Sequence, residues 1–220
     1  MGRALLTVTL LVALAAASGA LAGPTATTAS CKKQCFVDVT ADRFKAVGAG
    51  ASGSALTMTA GATVRWRLKD DGAHSVVAAG GLFRFGTFLR GTDLSFTLTP
   101  SAGRYDYRDR AGGAGRGTLV VLPRFDRQPD GSYTVTWTAP GAAPPDRVHH
   151  VRWLLIQGAD VVEQGTWQLA GRAGSRVFHR NDRLKSAAAL TAGRSLCVEV
   201  RTARGTPRRW SDWANACVVV

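Results

Sequence analysis

Short alternations of apolar and polar residues recur along most of this chain. ALTMTA (55–60), TVRWRL (63–68), LSFTLT (94–99), RYDYRD (104–109) and GTLVV (117–121) each repeat with period two, and Gly, Pro and Ser punctuate them. Successive side chains of a strand point to opposite faces, so each run predicts a half-buried strand. No 3.6-residue periodicity is sustained long enough to predict a helix. The pattern resumes after residue 130 in GSYTVTWTAP, VRWLLIQG, GTWQL, SRVFHR, SLCVEVRTA and ACVVV. There, Tyr133, Val135 and Trp137 alternate with hydroxyl residues. The fold class expected is all-β, two sandwiches over 30–122 and 130–220. PRFDRQP (123–129) serves as a Pro-flanked polar connector between them.

The first 22 residues stand apart. Arg3 gives a short positive start, Ala4 to Ala17 is an uncharged apolar run, and Ala20, Leu21 and Ala22 form an A-x-A-type cleavage site before Gly23. The run is too short to span a bilayer comfortably and no second one follows. The expectation is a secretory signal peptide cleaved near Ala22, leaving a secreted or extracellular protein with no membrane span. The rival reading, a lipid anchor on Cys31, suffers from the residues before it, Thr28, Ala29 and Ser30, which lack the usual Leu.

Export places four cysteines in an oxidising compartment. An extended strand would hold Cys31 and Cys35 about 13 Å apart, so bridging them requires a turn. Cys197 and Cys217 centre on position 207, inside the polar segment ARGTPRR, where a hairpin would set them opposite each other. The expected pairs are therefore 31–35 and 197–217. Metal or redox chemistry at Cys31 and Cys35 is the sharper alternative to a staple.

Charge adds a general preference for anionic partners. The 28 basic and 15 acidic residues give a net +13. The two halves are equally basic, with 13 basic against 7 acidic residues over 24–123 and 14 against 8 over 124–220. No clustered patch or reading element for nucleic acid is visible along the chain, so a diffusely solvated surface is expected, with an unknown macromolecule or an anionic wall polymer as partner. Only five of the basic residues are Lys; Arg dominance with abundant Ala and Gly points to GC-rich bacterial coding.

The first half resembles the plastocyanin- and azurin-like cupredoxins. TAGATVRW (59–66) looks like the strand that opens these proteins, DDGAHSV (70–76) like the loop with the first copper-binding His, and FVDVTADRFKA (36–46), upstream, like the first strand. GRYDYRDRAGGAGRGTLVV (103–121) is similar to the last ligand hairpin. The resemblance implies a Greek-key sandwich and a copper site. It also implies which ligands are missing: His74 matches the first His, but Asp109 stands at the Cys position, Gly112 at the second His and Arg116 at the axial Met. Blue-copper chemistry needs a His2Cys plane, so no metal and no cofactor are expected, with His74 a loop residue bonded to backbone and Asp109 paired with Arg116. Copper at His74 with non-standard ligands among Asp70, Asp71, Asp106 and Asp109 is the alternative.

The second half resembles a fibronectin type III module, with other immunoglobulin-like sandwiches as the alternative. SYTVTWTAP is similar to its Trp-bearing second strand, Leu190, Gly193 and LCVEVRTA to its Leu-x-x-Gly corner, and RRWSDWANA to the WSxWS motif of cytokine-receptor versions, with Ala214 in place of the final Ser. If Leu196, Val198 and Val200 face inward, Cys197, Glu199 and Arg201 share the outer face, and Arg201 can stack between Trp210 and Trp213. The alternative is an exposed aromatic surface for a ligand such as a sugar. His149, His150 and His179 are expected as loop or surface residues, the first two facing opposite ways on a strand. No GxSxG, HExxH, P-loop or dinucleotide turn occurs, so the chain is expected to be a non-enzymatic binding or structural protein of the cell envelope or extracellular space.

Overall fold

A computed structural model of the chain describes residues 29–89, 94–111, 113–139, 147–170, 174–178 and 193–220. The expected signal peptide (1–22), Gly112, His179 and Leu190 lie outside the described residues. Apart from one 3-10 turn at Ala79–Gly81, the regular structure described is strand.

The first sandwich packs two sheets. Its strands are β1 (Gln34–Val39), β2 (Phe44–Val47), β3 (Ala51–Ser52), β4 (Ala55–Thr59), β5 (Thr63–Leu68), β6 (His74–Ala78), β7 (Arg84–Leu89), β8 (Ser95–Leu98), β9 (Gly103–Asp109) and β10 (Arg116–Leu122). One sheet runs β2-β1-β5-β8 and the other β3-β4-β10-β9-β6-β7. The pairs β1–β5 and β4–β10 are parallel and the others antiparallel, so the chain crosses between sheets instead of meandering within one. Alternation does what the sequence suggests: in β9 Gly103, Tyr105, Tyr107 and Asp109 are buried while Arg104, Asp106 and Arg108 face out. Trp66 is fully buried between the sheets, with the rings of Phe83, Phe85 and Tyr107 at 5.6–5.7 Å. Truncating an aromatic so enclosed costs about 3–5 kcal/mol.

The second sandwich contains β11 (Arg124–Arg127), β12 (Tyr133–Thr136), β13 (Arg147–Gln157), β14 (Asp160–Ala170), β15 (Ser175–Phe178), β16 (Arg194–Arg204), β17 (Arg209–Trp210) and β18 (Ala214–Val219). Sheet β11-β12-β15 faces sheet β14-β13-β16-β17, with β18 also paired to β16. Val135, Trp137, Trp153, Phe178, Leu196, Val198 and Val200 fill the space between. Residues 123–129 are therefore more than a connector. Phe125 pairs with Val135, and Asp126 with Thr134, because this polar stretch lies on a sheet edge with little apolar demand.

The two sandwiches are joined by hydrogen bonds as well as by the chain. Ala102, just before β9, packs in the second core; its N–H donates to the Trp137 carbonyl at 2.7 Å and its carbonyl accepts from Thr202 Oγ1 at 2.8 Å. Arg104 and Asp212 exchange backbone hydrogen bonds of 3.0 and 3.1 Å. A side chain at Gly103 would meet Ser211 Oγ at 2.5 Å, so the close approach requires glycine.

Both disulfides expected from the sequence are formed. Cys31 and Cys35 bridge across a turn with Cα atoms 5.8 Å apart. Cys197 and Cys217 face each other directly on β16 and β18.

Candidate functional site

His74 opens β6 and sits at the end of the first sandwich with its side chain 1% exposed. Correcting the loop expectation, neither ring nitrogen goes to backbone. Nδ1 lies 2.6 Å from Asp109 Oδ2, and Nε2 lies 2.6 Å from Asp70 Oδ1. A ring flanked by two ionised carboxylates at that distance is placed to donate from both nitrogens, which favours the imidazolium form.

Each carboxylate is itself held. Asp109 Oδ1 accepts from the N–H groups of Ser75 and Ala111, both at 2.9 Å. Asp70 accepts from Gly72 N–H at 2.9 Å and from Ala41 N–H at 2.6 Å. Glycine makes the approach possible. A Cβ on Gly72 would meet Asp70 Oδ1 at 2.9 Å and His74 Nε2 at 3.1 Å, and one on Gly113 would meet Asp109 Oδ2 at 2.5 Å.

Burial works against charge on His74, but the hydrogen bonds and negative charges of Asp70 and Asp109 outweigh it, and the ring's pKa is raised. Asp70 is lowered, first through its hydrogen bond to His74.

The Asp109–Arg116 ion pair expected from the sequence does not form. The Asp109 carboxylate turns inward to His74, whereas Arg116 points outward at the start of β10, opposite Arg108. Asp70 joins the site; Asp71 is exposed, and Asp106 faces outward and accepts from Thr118 Oγ1 at 2.8 Å.

The donor set does not fit copper. His74 presents no lone pair while both carboxylates hold it, and a carboxylate stands where the resemblance would put the thiolate. The four cysteines are consumed in disulfides. Among the described residues no group of three or more His, Cys, Asp or Glu is placed to share an ion.

No family model and no curated protein matches the chain. Among solved structures it is similar to amicyanin from Paracoccus versutus (Thiobacillus versutus), at 22% identity over 39% of this chain and 78% of that one, with a TM-score of 0.31. An oxidised point mutant of amicyanin gives 19% identity over 47% of this chain and 87% of that one, with a TM-score of 0.32. A segment of two fibronectin type III domains from chicken tenascin gives 15% identity over 86% of this chain and 98% of that one, with a TM-score of 0.30. The two sandwiches stand on their own strand pairings.

A second cluster lies on the outer sheet of the second sandwich. The Arg201 guanidinium is 4.6 Å from the Trp210 ring centroid and 4.7 Å from that of Trp213. Arg152 lies 5.4 Å over Trp213 and forms an ion pair with Glu199. Both indoles are thus taken up by cations, which suits a stabilising ladder better than an open sugar platform. His150 is not a free surface residue: it packs 5.0 Å from Trp213, and Arg201 donates to its Nδ1 at 3.1 Å. Burial first, then the charges of Arg201 and Arg152, lowers its pKa. His149 faces the other way, fully buried, with Nδ1 3.0 Å from Thr202 Oγ1.

The structure also corrects the expectation of a diffuse basic surface. A groove of ≈ 870 Å³ opens on the outer face of the six-stranded sheet, and Arg84, Arg104, Arg108, Arg110, Arg116 and Arg209 all line it. They come from four strands of the two sandwiches and from the loop after β9, a convergence that a tally along the chain cannot register.

Proposed function

We propose that the protein is a non-enzymatic binding or structural module, exported to the cell envelope or extracellular space, in which an ionic clamp replaces the copper site of a cupredoxin-like sandwich. The observation that carries this reading is the pair of 2.6 Å contacts from carboxylates to both nitrogens of His74. A metal would have to displace a carboxylate and a proton, and on the Asp109 side the freed carboxylate would stay buried without its partner. The clamp instead ties the loop before β6, the end of β9 and the first strand's following turn into one unit, which is a structural task.

Two disulfides support an oxidising destination. Among the described residues no helix is long and apolar enough to cross a membrane. The test is direct: the purified protein is titrated with Cu(II) and with Cu(I), desalted, and assayed for bound metal. No stoichiometric copper is expected to remain. Stoichiometric copper that disappears in His74→Ala would contradict the reading and restore the copper-binding alternative.

A further inference from the structure

The arginine groove is more concentrated than general basicity explains. Arg84 on β7 pairs across Val77 on β6 to Arg108 on β9, which in turn stands directly opposite Arg116 on β10. Three of the arginines thus form one row across four strands, at a spacing of about 4.8 Å per strand. Arg104 lies on the same face of β9 and Arg110 just beyond its end. Arg209 on β17 arrives from the second sandwich. Its aliphatic part packs over Gly80, where an added Cβ would meet Arg209 Cβ at 3.2 Å, and its guanidinium donates to the Gly80 carbonyl at 3.4 Å.

Two features argue against a merely solvated face. Like charges placed directly opposite on neighbouring strands disfavour the sheet, as with Arg108 and Arg116. In addition, none of the six arginines forms a salt bridge with a described residue, although all six are exposed. The one acid in the lining, Asp106, is bonded to Thr118. Six guanidiniums against one carboxylate around one concavity produce a positive potential that concentrates anions.

The lining also selects among anions. Its apolar members are Val77, Ala78 and Ala79, and its single aromatic residue, Tyr107, is buried with its ring turned into the core. It therefore offers no ring face on which a base or sugar could stack and no large apolar pocket for a protein anchor. What it does offer is a set of forked donors suited to tetrahedral, multiply charged oxyanions. We propose that this groove binds a linear phosphate-bearing polymer without bases, lying across β7, β6, β9 and β10 and reaching Arg209. The proposal deepens the binding-module reading and rests on it, but it does not depend on the His74 clamp.

Long-chain inorganic polyphosphate is the probe, measured by fluorescence anisotropy or calorimetry on the intact protein over a range of salt. Binding should weaken with salt with a slope on the order of −4 in log K against log salt, as six contacts at about −0.7 each imply. The double substitution Arg108→Glu with Arg116→Glu should lower affinity at least tenfold and flatten the slope. Arg84→Glu with Arg209→Glu should do the same, which guards against a folding defect in either pair. Arg127→Glu on β11, outside the groove, should change affinity by less than threefold.

Absence of polyphosphate binding, or binding that all three variants weaken equally, would overturn the proposal. So would tighter binding of single-stranded DNA or of polyglutamate than of polyphosphate at equal charge. Polyphosphate bound in the groove by a protein that also retains copper would sink the clamp reading and leave this one standing; neither copper nor polyphosphate bound would do the reverse.

Discussion

Replacing Asp109 by Asn tests the clamp at its buried end. The Asn carbonyl oxygen can take the place of Asp109 Oδ1 and keep the bonds from Ser75 and Ala111 N–H, both 2.9 Å in the native protein. Its NH2 group then faces His74 Nδ1, a nitrogen that currently donates. The ring must lose that proton, adopt the Nε2–H form, accept from the Asn NH2 at Nδ1 and keep Asp70 as its one carboxylate partner. A hydrogen bond to a charged group contributes about 1.5–3 kcal/mol, and breaking a buried pair costs about 3–5 kcal/mol. With both backbone bonds and Asp70 retained, the lower range applies, and the expected loss is about 2–3 kcal/mol near pH 6. The sign with pH follows from the two shifts. His74 is raised above its ordinary 6.5, so its contribution is complete below that value and disappears as pH rises through the folded-state pKa. Asp70 is lowered from its ordinary 3.8, so its contribution is complete above that value and disappears as pH falls through the depressed one. The gap between native protein and Asp109→Asn should therefore be widest at about pH 5–6 and narrow in alkaline solution. Urea unfolding followed by circular dichroism across pH measures it. A gap that is absent, or that is the same at about pH 6 and pH 9, would mean that Asp109 does not hold a charged His74.

Three further outcomes are expected. Arg201→Ala removes a cation shared by two indoles and should cost about 2–3 kcal/mol in thermal or urea unfolding; at the same time His150 should titrate at higher pH by NMR, because one of the charges holding its pKa down is gone. Cys197→Ser with Cys217→Ser opens a bridge spanning 20 residues and should destabilise the second sandwich by about 3 kcal/mol, measured against the native protein without reductant. Gly117→Ala and Gly165→Ala each press a Cβ against a buried ring, that of Tyr107 at 2.5 Å and that of Trp153 at 2.6 Å, and each should cost about 1–3 kcal/mol by thermal unfolding.

Much of the scaffold can be read from local pattern, because a strand's two faces differ chemically. RYDYRD announces β9, and SLCVEVRTA announces both the inward Leu196, Val198 and Val200 and the outward face of Cys197 and Arg201. The hairpin centred near 207 follows from the two cysteines alone. Polar edge strands give a weaker signal: RFDR in β11 carries a single apolar residue, Phe125, half-buried against the second core, and looks like a connector until β12 pairs with it. DVVEQ, the first half of β14, escapes for a related reason, since Val161 and Val162 remain exposed and no alternation marks it.

The sites are less legible than the scaffold. His74 and Asp109 are 35 residues apart, and only the parallel crossings and the β6–β9 pairing bring them within 2.6 Å. The residue pattern singles out both positions for attention, but not that one pairs with the other. The arginine groove is hidden more thoroughly, because its members come from separate strands of two sandwiches and neither half of the chain is more basic than the other.

Whether the clamp exists depends on the protonation of one ring. Nitrogen-15 NMR of the His74 side chain at about pH 6 should show both ring nitrogens carrying protons, with the change to a neutral ring coming above the ordinary histidine value of 6.5. A neutral His74 at that pH, with one ring nitrogen bare and able to take a metal, would contradict the clamp and the function built on it.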